Sequence, residues 1–111
     1  MVRIKSCSDY GGQVSNVVYR NLTAKAVAVA IFVDMFYECH ADSSNPQPLF
    51  RDISVDSLQG SAVAVAGSFN CTSNMCEIGL SNISLESVLG FTECTNVYGN
   101  VSHVSPQPCY S

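Results

Sequence analysis

Apolar and polar residues alternate along several short stretches of the chain, and the alternation recurs. The three clearest stretches are "RNLTAKAV", "RDISVDSL" and "SNISLESV", which begin at positions 20, 51 and 81. A period of two places one set of side chains on a buried face and the other set in solvent, as in strands and unlike helices. Each stretch therefore predicts a β-strand, and the inward anchors of the three strands are Leu22, Ile53 and Ile83.

The three stretches align without gaps, so the strand pattern is repeated. Their anchors, at positions 22, 53 and 83, follow one another at nearly equal intervals. Strands that recur in one register imply parallel stacking, and the intervening segments 30–38 and 61–70 indicate further short strands instead of crossover helices. The pattern predicts an all-β fold, a right-handed parallel β-helix of about three coils. Its turns are expected to stack in a hydrogen-bonded column of Asn21, Asp52 and Asn82.

An antiparallel sandwich of short strands is the competing fold, because alternation alone fits it equally well. A sandwich, however, does not require the sequence to repeat in register at regular intervals, as these stretches do. The parallel solenoid is therefore the predicted architecture, with residues 1–111 forming a single domain.

The composition limits the classes of function. The 111 residues, 47% of them hydrophobic, suffice for one domain with a modest core. Five Lys and Arg residues against nine Asp and Glu residues give a net charge of −4, which disfavours nucleic acid as a partner. The longest apolar run, 26–33, is far shorter than the ~20 residues that cross a bilayer, so no membrane span is predicted.

Two cations lie close together near the N-terminus, in "VRIK". On a strand, Arg3 and Lys5 project from one face roughly 6–7 Å apart, while Ile4 faces the core. A guanidinium binds a carboxylate through two hydrogen bonds, and a neighbouring ammonium adds a point charge. The pair therefore suits an anionic ligand with regularly spaced carboxylates, although two cations on an outward strand face are most often only solvated charges.

A resemblance to a known family covers essentially the whole chain. The C-terminal part of the polygalacturonases of glycoside hydrolase family 28 is similar, in order and spacing, to "VRIK", "GGQVSNVVYRNLTAKAV", "AIFVDMFY", "FNCTSNMCEIGLSNISLESV" and "ECTNVYGNVSHVSPQPCYS". The resemblance implies that Arg3 and Lys5 bind the carboxylate of a galacturonate unit, and that Tyr37 contributes to the same cleft. It also implies an extracellular protein that hydrolyses 1,4-α-galacturonosyl linkages in pectin by an inverting mechanism, without a cofactor.

The catalytic acids of that family are not matched. They lie in an Asn-Thr-Asp motif and an Asp-Asp pair, accompanied by a Gly-His-Gly histidine, and none of these motifs occurs in the sequence. No catalytic residue is therefore assigned, and Asp34, Glu38 and Asp42 are predicted to be solvated loop charges. His40 and His103 receive no role.

The chain alone is therefore expected to be inactive. It is expected to be the C-terminal part of a larger solenoid, truncated on its N-terminal side, whose open end is covered by further coils or by self-association. The alternatives are a non-catalytic binder of galacturonate chains and a purely structural solenoid remnant.

Six cysteines and four Asn-x-Ser/Thr sequons in so short a chain favour a secreted protein, although the pattern of the first residues predicts no signal peptide. Asn100, in the Gly-rich tail, is the better glycosylation candidate, and Asn70 is the second. Uneven cysteine spacing without CxxC pairs argues against a zinc site, so no metal is expected.

The resemblance implies two local disulfides and leaves two cysteines over. The implied pairs are Cys71–Cys76 and Cys94–Cys109, of which the second closes a C-terminal cap over residues 94–111. The remaining pair, Cys7 and Cys39, is separated by close to one repeat. A bridge between adjacent coils and two free buried thiols are equally open for this pair.

Overall fold

The computed structural model describes residues 2–5, 13–35 and 49–110 of the chain. These residues contain nine strands and no helix, and accordingly no helix that could cross a bilayer. The strands are β1 (Val2–Lys5), β2 (Gln13–Lys25), β3 (Val29–Asp34), β4 (Leu49–Val63), β5 (Val65–Asn70), β6 (Cys76–Ser87), β7 (Phe91–Thr95), β8 (Val97–Tyr98) and β9 (Val101–Ser105).

The strands form two sheets whose neighbours are all parallel. Sheet A has the order β1-β3-β5-β7, and sheet B has the order β2-β4-β6-β8, with β9 also paired to β6. Consecutive strands up to β8 alternate between the sheets, so each of the first three coils gives a short strand to sheet A and a long one to sheet B. The predicted parallel β-helix is confirmed.

The core lies between the two sheets and follows the alternation seen in the sequence. Ile53 and Ile83 are each 2% exposed, and Leu22 is partly buried against the same core. Burying one such side chain completely contributes about 1.5–3 kcal/mol, so the stacked aliphatic residues hold the coils together. The largest fully buried side chains include Phe50, Phe69, Ile31, Met35, Ile53 and Leu58.

The predicted alignment of the three repeats is wrong. Leu58, not Ile53, lies between Leu22 and Ile83 in sheet B. The step along the chain from Leu22 to Leu58 is therefore longer than the step from Leu58 to Ile83. The coils are unequal in length, whereas the alignment of the sequence predicted nearly equal ones.

The cause of the misalignment is a bend that recurs every five residues in the first two coils of sheet B. Residues with positive φ mark these bends: Asn16, Asn21 and Ala26 in the first coil, and Asp52, Ser57 and Ala62 in the second. Several of these bends are followed by an aliphatic residue and then a polar one. A stretch of sequence therefore aligns equally well when it is shifted along the chain by one bend. The predicted Asn21–Asp52–Asn82 column is consequently wrong, because Ser57 takes its central place and Asp52 lies beside Asn16.

The C-terminal region adds strands to sheet B before its tail folds back. β8 and β9 both pair with β6, and the disulfide Cys94–Cys109 joins β7 to the tail. The Tyr110 ring packs edge-on against Phe69 at a centroid distance of 5.3 Å, and its hydroxyl donates to the carbonyl oxygen of Ile78 at 2.8 Å. The tail is therefore fastened to the core by a covalent bond, a ring contact and a hydrogen bond.

Candidate functional site

The cationic pair of "VRIK" projects from the outward face of β1. Arg3 and Lys5 are exposed, whereas Val2 and Ile4, which alternate with them, are 1% and 8% exposed. Because successive side chains of a strand point to opposite faces, the two buried aliphatic residues fix the direction of both cations. The sequence predicted that both cations project from one face of a strand, and they do so at one edge of sheet A.

The neighbouring strand gives each cation a partner in register. Arg3 is paired with Phe32, and the guanidinium carbon lies 5.7 Å from the centroid of the Phe32 ring. A cation within about 6 Å of a ring centroid is attracted by the ring quadrupole, so Phe32 holds the guanidinium in place. Lys5 is paired with Asp34, the last residue of β3. The prediction of Asp34 as a loop charge is wrong, because the buried Val33 extends the strand to this position.

Two rows of outward side chains continue from these cations across sheet A. Neighbours within a row lie about 4.8 Å apart, the spacing between strands. The inward residues between the rows, Ile4, Val33 and Phe69, are buried, which confirms that both rows face outward. The first row is Arg3, Phe32, Ser68 and Glu93, and the second is Lys5, Asp34, Asn70 and Thr95.

A shallow pocket adjoins the first cation. Its volume is about 360 Å³, and its lining consists of Arg3, Val27, Ala28, Val29 and Phe32. This volume lies at the lower end of the range for small-molecule sites. Among the residues that line the pocket, the guanidinium is the single charged group, so an anionic group of a ligand would be directed to Arg3.

Other residues predicted for the site lie elsewhere or outside the described part. Tyr37, Cys7 and Cys39 are outside the described residues. The two disulfides implied by the resemblance, Cys71–Cys76 and Cys94–Cys109, are present, with Cα separations of 6.0 and 5.7 Å.

Arg51 holds the loop closed by the Cys71–Cys76 disulfide, a role that was not predicted from the sequence. The Arg51 guanidinium donates from Nη1 to the carbonyl oxygen of Met75 and from Nη2 to that of Asn74, each at 2.7 Å. Its Nη1 also donates to the carbonyl oxygen of Phe50 at 3.0 Å. No local pattern signals such a role, because the carbonyl groups of Met75 and Asn74 belong to the next coil.

The glycosylation candidates differ in accessibility. Asn100 is exposed between β8 and β9, and Ser102, the hydroxyl residue of its sequon, is exposed as well. Asn70 is half-buried, and Thr72 of its sequon is 3% exposed. The Thr72 hydroxyl accepts a hydrogen bond from the Asn74 amide at 3.3 Å. Only the first of these two sequons therefore presents both of its polar side chains to solvent.

The carboxylate of Asp56 on sheet B ties two coils together. Its Oδ1 accepts hydrogen bonds from the Ser81 hydroxyl at 2.8 Å and from the Asn82 amide at 3.0 Å. These bonds, first that of Asn82 and then that of Ser81, hold the pKa of the Asp56 carboxyl below its ordinary value. The arrangement keeps the group ionised and suits a structural link, since it lies on the opposite sheet from the cationic pair.

Metal-ligating residues are not gathered at any point of the described residues, where no group of three His, Cys, Asp or Glu side chains could hold an ion. His103 lies on β9, with its Nδ1 2.8 Å from the Ser102 hydroxyl oxygen. Both side chains are exposed.

Comparison with known proteins identifies the family. The model of glycosyl hydrolases family 28 matches residues 1–105. The chain is 32% identical to Polygalacturonase-2 of Solanum lycopersicum over 117 aligned residues, which cover 95% of this chain and 25% of the tomato protein. It therefore spans about a quarter of that relative's length. No solved structure matches the chain. With nearly its full length matched and a two-sheet parallel β-helix as its fold, the chain belongs to family 28 of the glycosyl hydrolases.

Proposed function

We propose that the chain is the carboxylate-binding portion of an extracellular polygalacturonase, in which Arg3 and Lys5 hold a galacturonate unit of pectin during hydrolysis. The observation that carries this proposal is the outward projection of both cations from β1, with Ile4 buried between them. Family membership and the similarity to a tomato polygalacturonase support the substrate class.

The chemistry of the pair fits an ionised uronate. A sugar carboxylate is negatively charged at neutral pH, and a guanidinium can bind its two oxygens through parallel N–H groups. The cation–π contact with Phe32 positions the Arg3 guanidinium on the outward face of sheet A. Lys5, two residues along the strand, adds a point charge to the same face. The pocket beside Arg3 offers room for a sugar ring.

The role that we assign to the chain is binding and orientation. Inverting hydrolysis requires one carboxylic acid to protonate the leaving oxygen and a second carboxylate to activate water. Asp34 and Glu93 are the acids on the outward face of sheet A, and they lie on strands that are not neighbours. We assign catalysis to neither and propose that the catalytic acids are supplied from outside these 111 residues, so that this chain alone does not cleave pectin. Tyr37 is proposed as a further ligand contact.

A non-catalytic galacturonate binder is the second candidate, favoured by the absence of the Asn-Thr-Asp and Gly-His-Gly motifs from the sequence. It shares the binding role of Arg3 and Lys5 and differs in needing no catalytic partner. Release of reducing ends from polygalacturonate by a longer form of the protein, and its loss on Lys5→Ala, would favour the first candidate over the second.

Calorimetric titration of the 111-residue chain with galacturonate oligomers tests the binding role. We expect saturable binding that weakens with salt and is lost in an Arg3→Ala/Lys5→Ala variant. The matched control is Arg20→Ala/Lys25→Ala, which removes the same two charges from exposed positions of β2 on sheet B. Binding that survives in the first variant, or that is lost equally in both, would contradict the proposal. Circular dichroism would establish that each variant keeps its β-structure.

A further inference from the structure

A polar pocket lies on the outward face of sheet B, with a glycine in the middle of it. Ile78 and Leu80 are 0% and 1% exposed, so Gly79 between them faces outward on β6 and leaves a hollow where other residues would place a side chain. The pocket has a volume of about 270 Å³. Its polar lining comes from β4, β6, β9 and the turn before β9, and includes Asp52, Ser54, Glu77, Ser81, Asn100 and Ser102.

The chemistry of this lining suits an uncharged sugar. Both charged residues of the lining are acids, Asp52 and Glu77, and the Glu77 Oε1 accepts a hydrogen bond from the Asp52 backbone N–H at 3.0 Å. Carboxylates and serine hydroxyls accept hydrogen bonds from the hydroxyl groups of a sugar. A galacturonate, in contrast, would bring its own negative charge to the two acids. The pocket therefore favours a neutral sugar over a further pectin unit.

One residue of the lining is a candidate to carry such a sugar covalently. Asn100 begins an Asn-Val-Ser sequon, and both Asn100 and Ser102 are exposed. The Leu80 backbone N–H donates to the Asn100 carbonyl oxygen at 2.9 Å, which holds this turn against β6. A sugar on the Asn100 amide therefore starts at the pocket and needs no linker to reach it.

We infer that Asn100 is N-glycosylated and that the first N-acetylglucosamine of its glycan occupies the pocket at Gly79. In the transfer, Nδ2 of Asn100 forms a bond to the anomeric carbon of the sugar, the bond from that carbon to the pyrophosphate of a lipid-linked donor breaks, and the amide loses one proton. The seated sugar contacts β4, β6 and the turn before β9, and so stabilises the stacking of the last coils. It lies on the opposite sheet from Arg3 and Lys5, so its role is separate from their binding of galacturonate.

The expected effect is a gain in stability that depends on the pocket. A seated sugar forms hydrogen bonds in the folded chain that are absent from the unfolded chain, and a net gain of one such bond raises the urea midpoint of a small protein by about 0.5 M. A glycan that points into solvent has no such dependence on the residues of the pocket. The shape of the pocket at Gly79 therefore distinguishes the two cases.

The experiment measures how Asn100→Gln changes the urea midpoint of the chain from two hosts. One preparation is secreted by a eukaryotic host and trimmed with an endoglycosidase that leaves one N-acetylglucosamine on each glycosylated asparagine. The other comes from a bacterial periplasm, where disulfides form and these sequons receive no glycan. Sugars at other sequons are common to both sequences, so the difference between the hosts belongs to the sugar on Asn100.

The same comparison is repeated with the pocket filled by Gly79→Val. A Cβ atom at position 79 would lie 3.7 Å from the Asn100 carbonyl oxygen and 3.8 Å from the Ser54 Cβ, which are ordinary contacts, so the first added atom enters without a clash. The matched control is Ser84→Val, which enlarges an exposed residue of the same strand outside this pocket. If Gly79→Val does not fold, Ser54→Leu fills the pocket from β4.

We expect Asn100→Gln to lower the midpoint by about 0.5 M more in the secreted chain than in the periplasmic chain. This difference should persist with Ser84→Val and vanish with Gly79→Val. An equal effect of Asn100→Gln in both hosts, or a difference that persists with Gly79→Val, would overturn the seating of the sugar. Mass spectrometry of the peptide that contains Asn100 checks attachment, and a secreted chain without sugar at this residue would overturn the whole inference.

Discussion

The guanidinium carbon of Arg3 lies 5.7 Å from the centroid of the Phe32 ring, which belongs to the neighbouring strand of sheet A. The contact joins the first described coil to the second on the outward face, where the proposed ligand binds. Phe32 therefore positions the cation, and it also lines the pocket that adjoins Arg3.

Phe32→Leu should weaken the binding of galacturonate oligomers by about two- to fivefold, because a cation–π contact at an exposed site contributes about 0.5–1 kcal/mol. Leucine keeps the side chain apolar and removes the ring. Calorimetric titration checks the change. In an Arg3→Ala background the same substitution should have a smaller effect, and equal effects in both backgrounds would show that Phe32 acts independently of the guanidinium.

The inward and outward faces of the strands could be predicted from the sequence, but their register could not. Alternation suffices to place Ile53 and Ile83 in the core and to point Arg3 and Lys5 outward, because it depends only on the period of a strand. Register depends on where the long strands bend and on the length of each coil. The bend residue Ser57 has none of the Asn or Asp character that marks the bends in the aligned stretches, so its position could not be recognised.

The surroundings of the site were equally inaccessible to sequence patterns. The length of the first coil determines that Arg3 is paired with Phe32 and that Lys5 is paired with Asp34. No local sequence pattern specifies that length. The contacts of Arg51 with Met75 and of Tyr110 with Ile78 likewise join residues from different coils. Such contacts follow from the stacking of coils of unequal length.

Tyr110→Phe should lower the free energy of unfolding by about 1 kcal/mol, because it removes the hydrogen bond to the Ile78 carbonyl oxygen and keeps the ring on Phe69. Urea denaturation monitored by circular dichroism measures the change. Tyr98→Phe is the control, since Tyr98 is 38% exposed, and it should leave stability unchanged. Equal stability of the two variants would mean that the tail hydrogen bond contributes nothing net.

The same tyrosine should make the protein sensitive to alkali. Burial raises the pKa of Tyr110 above its ordinary value. The unfolded chain then releases the phenolic proton at a lower pH than the folded chain, so stability falls as pH rises beyond about 10. Urea midpoints between about pH 8 and pH 11 should decline less steeply in Tyr110→Phe than in the unmodified chain, and parallel declines would argue against this assignment.

Asp56 should contribute to the loss of stability in acid. Hydrogen bonds from Asn82 and then Ser81 lower the pKa of Asp56 in the folded state, so its contribution is present above the unfolded value of about 4. That contribution is lost as pH falls from about 4 through the folded pKa. Asp56→Asn should therefore flatten the decline of the urea midpoint below about pH 4. The comparison variant is Glu86→Gln, which removes an exposed carboxylate of β6 that takes no part in these hydrogen bonds.

Glycan attachment should distinguish the two candidate sequons. Asn100 and Ser102 are both exposed, whereas Thr72 in the sequon of Asn70 is 3% exposed and hydrogen-bonded to the Asn74 amide. A transferase that must reach both polar side chains of a sequon is therefore expected to modify Asn100 and to pass over Asn70 once the loop between Cys71 and Cys76 has closed. In a secretory host, Asn100→Gln should remove the mass of one glycan, as measured by intact-protein mass spectrometry before and after enzymatic deglycosylation. Asn70→Gln should leave the mass of the attached sugar unchanged, and loss of a glycan in that variant would mean that modification precedes closure of the loop.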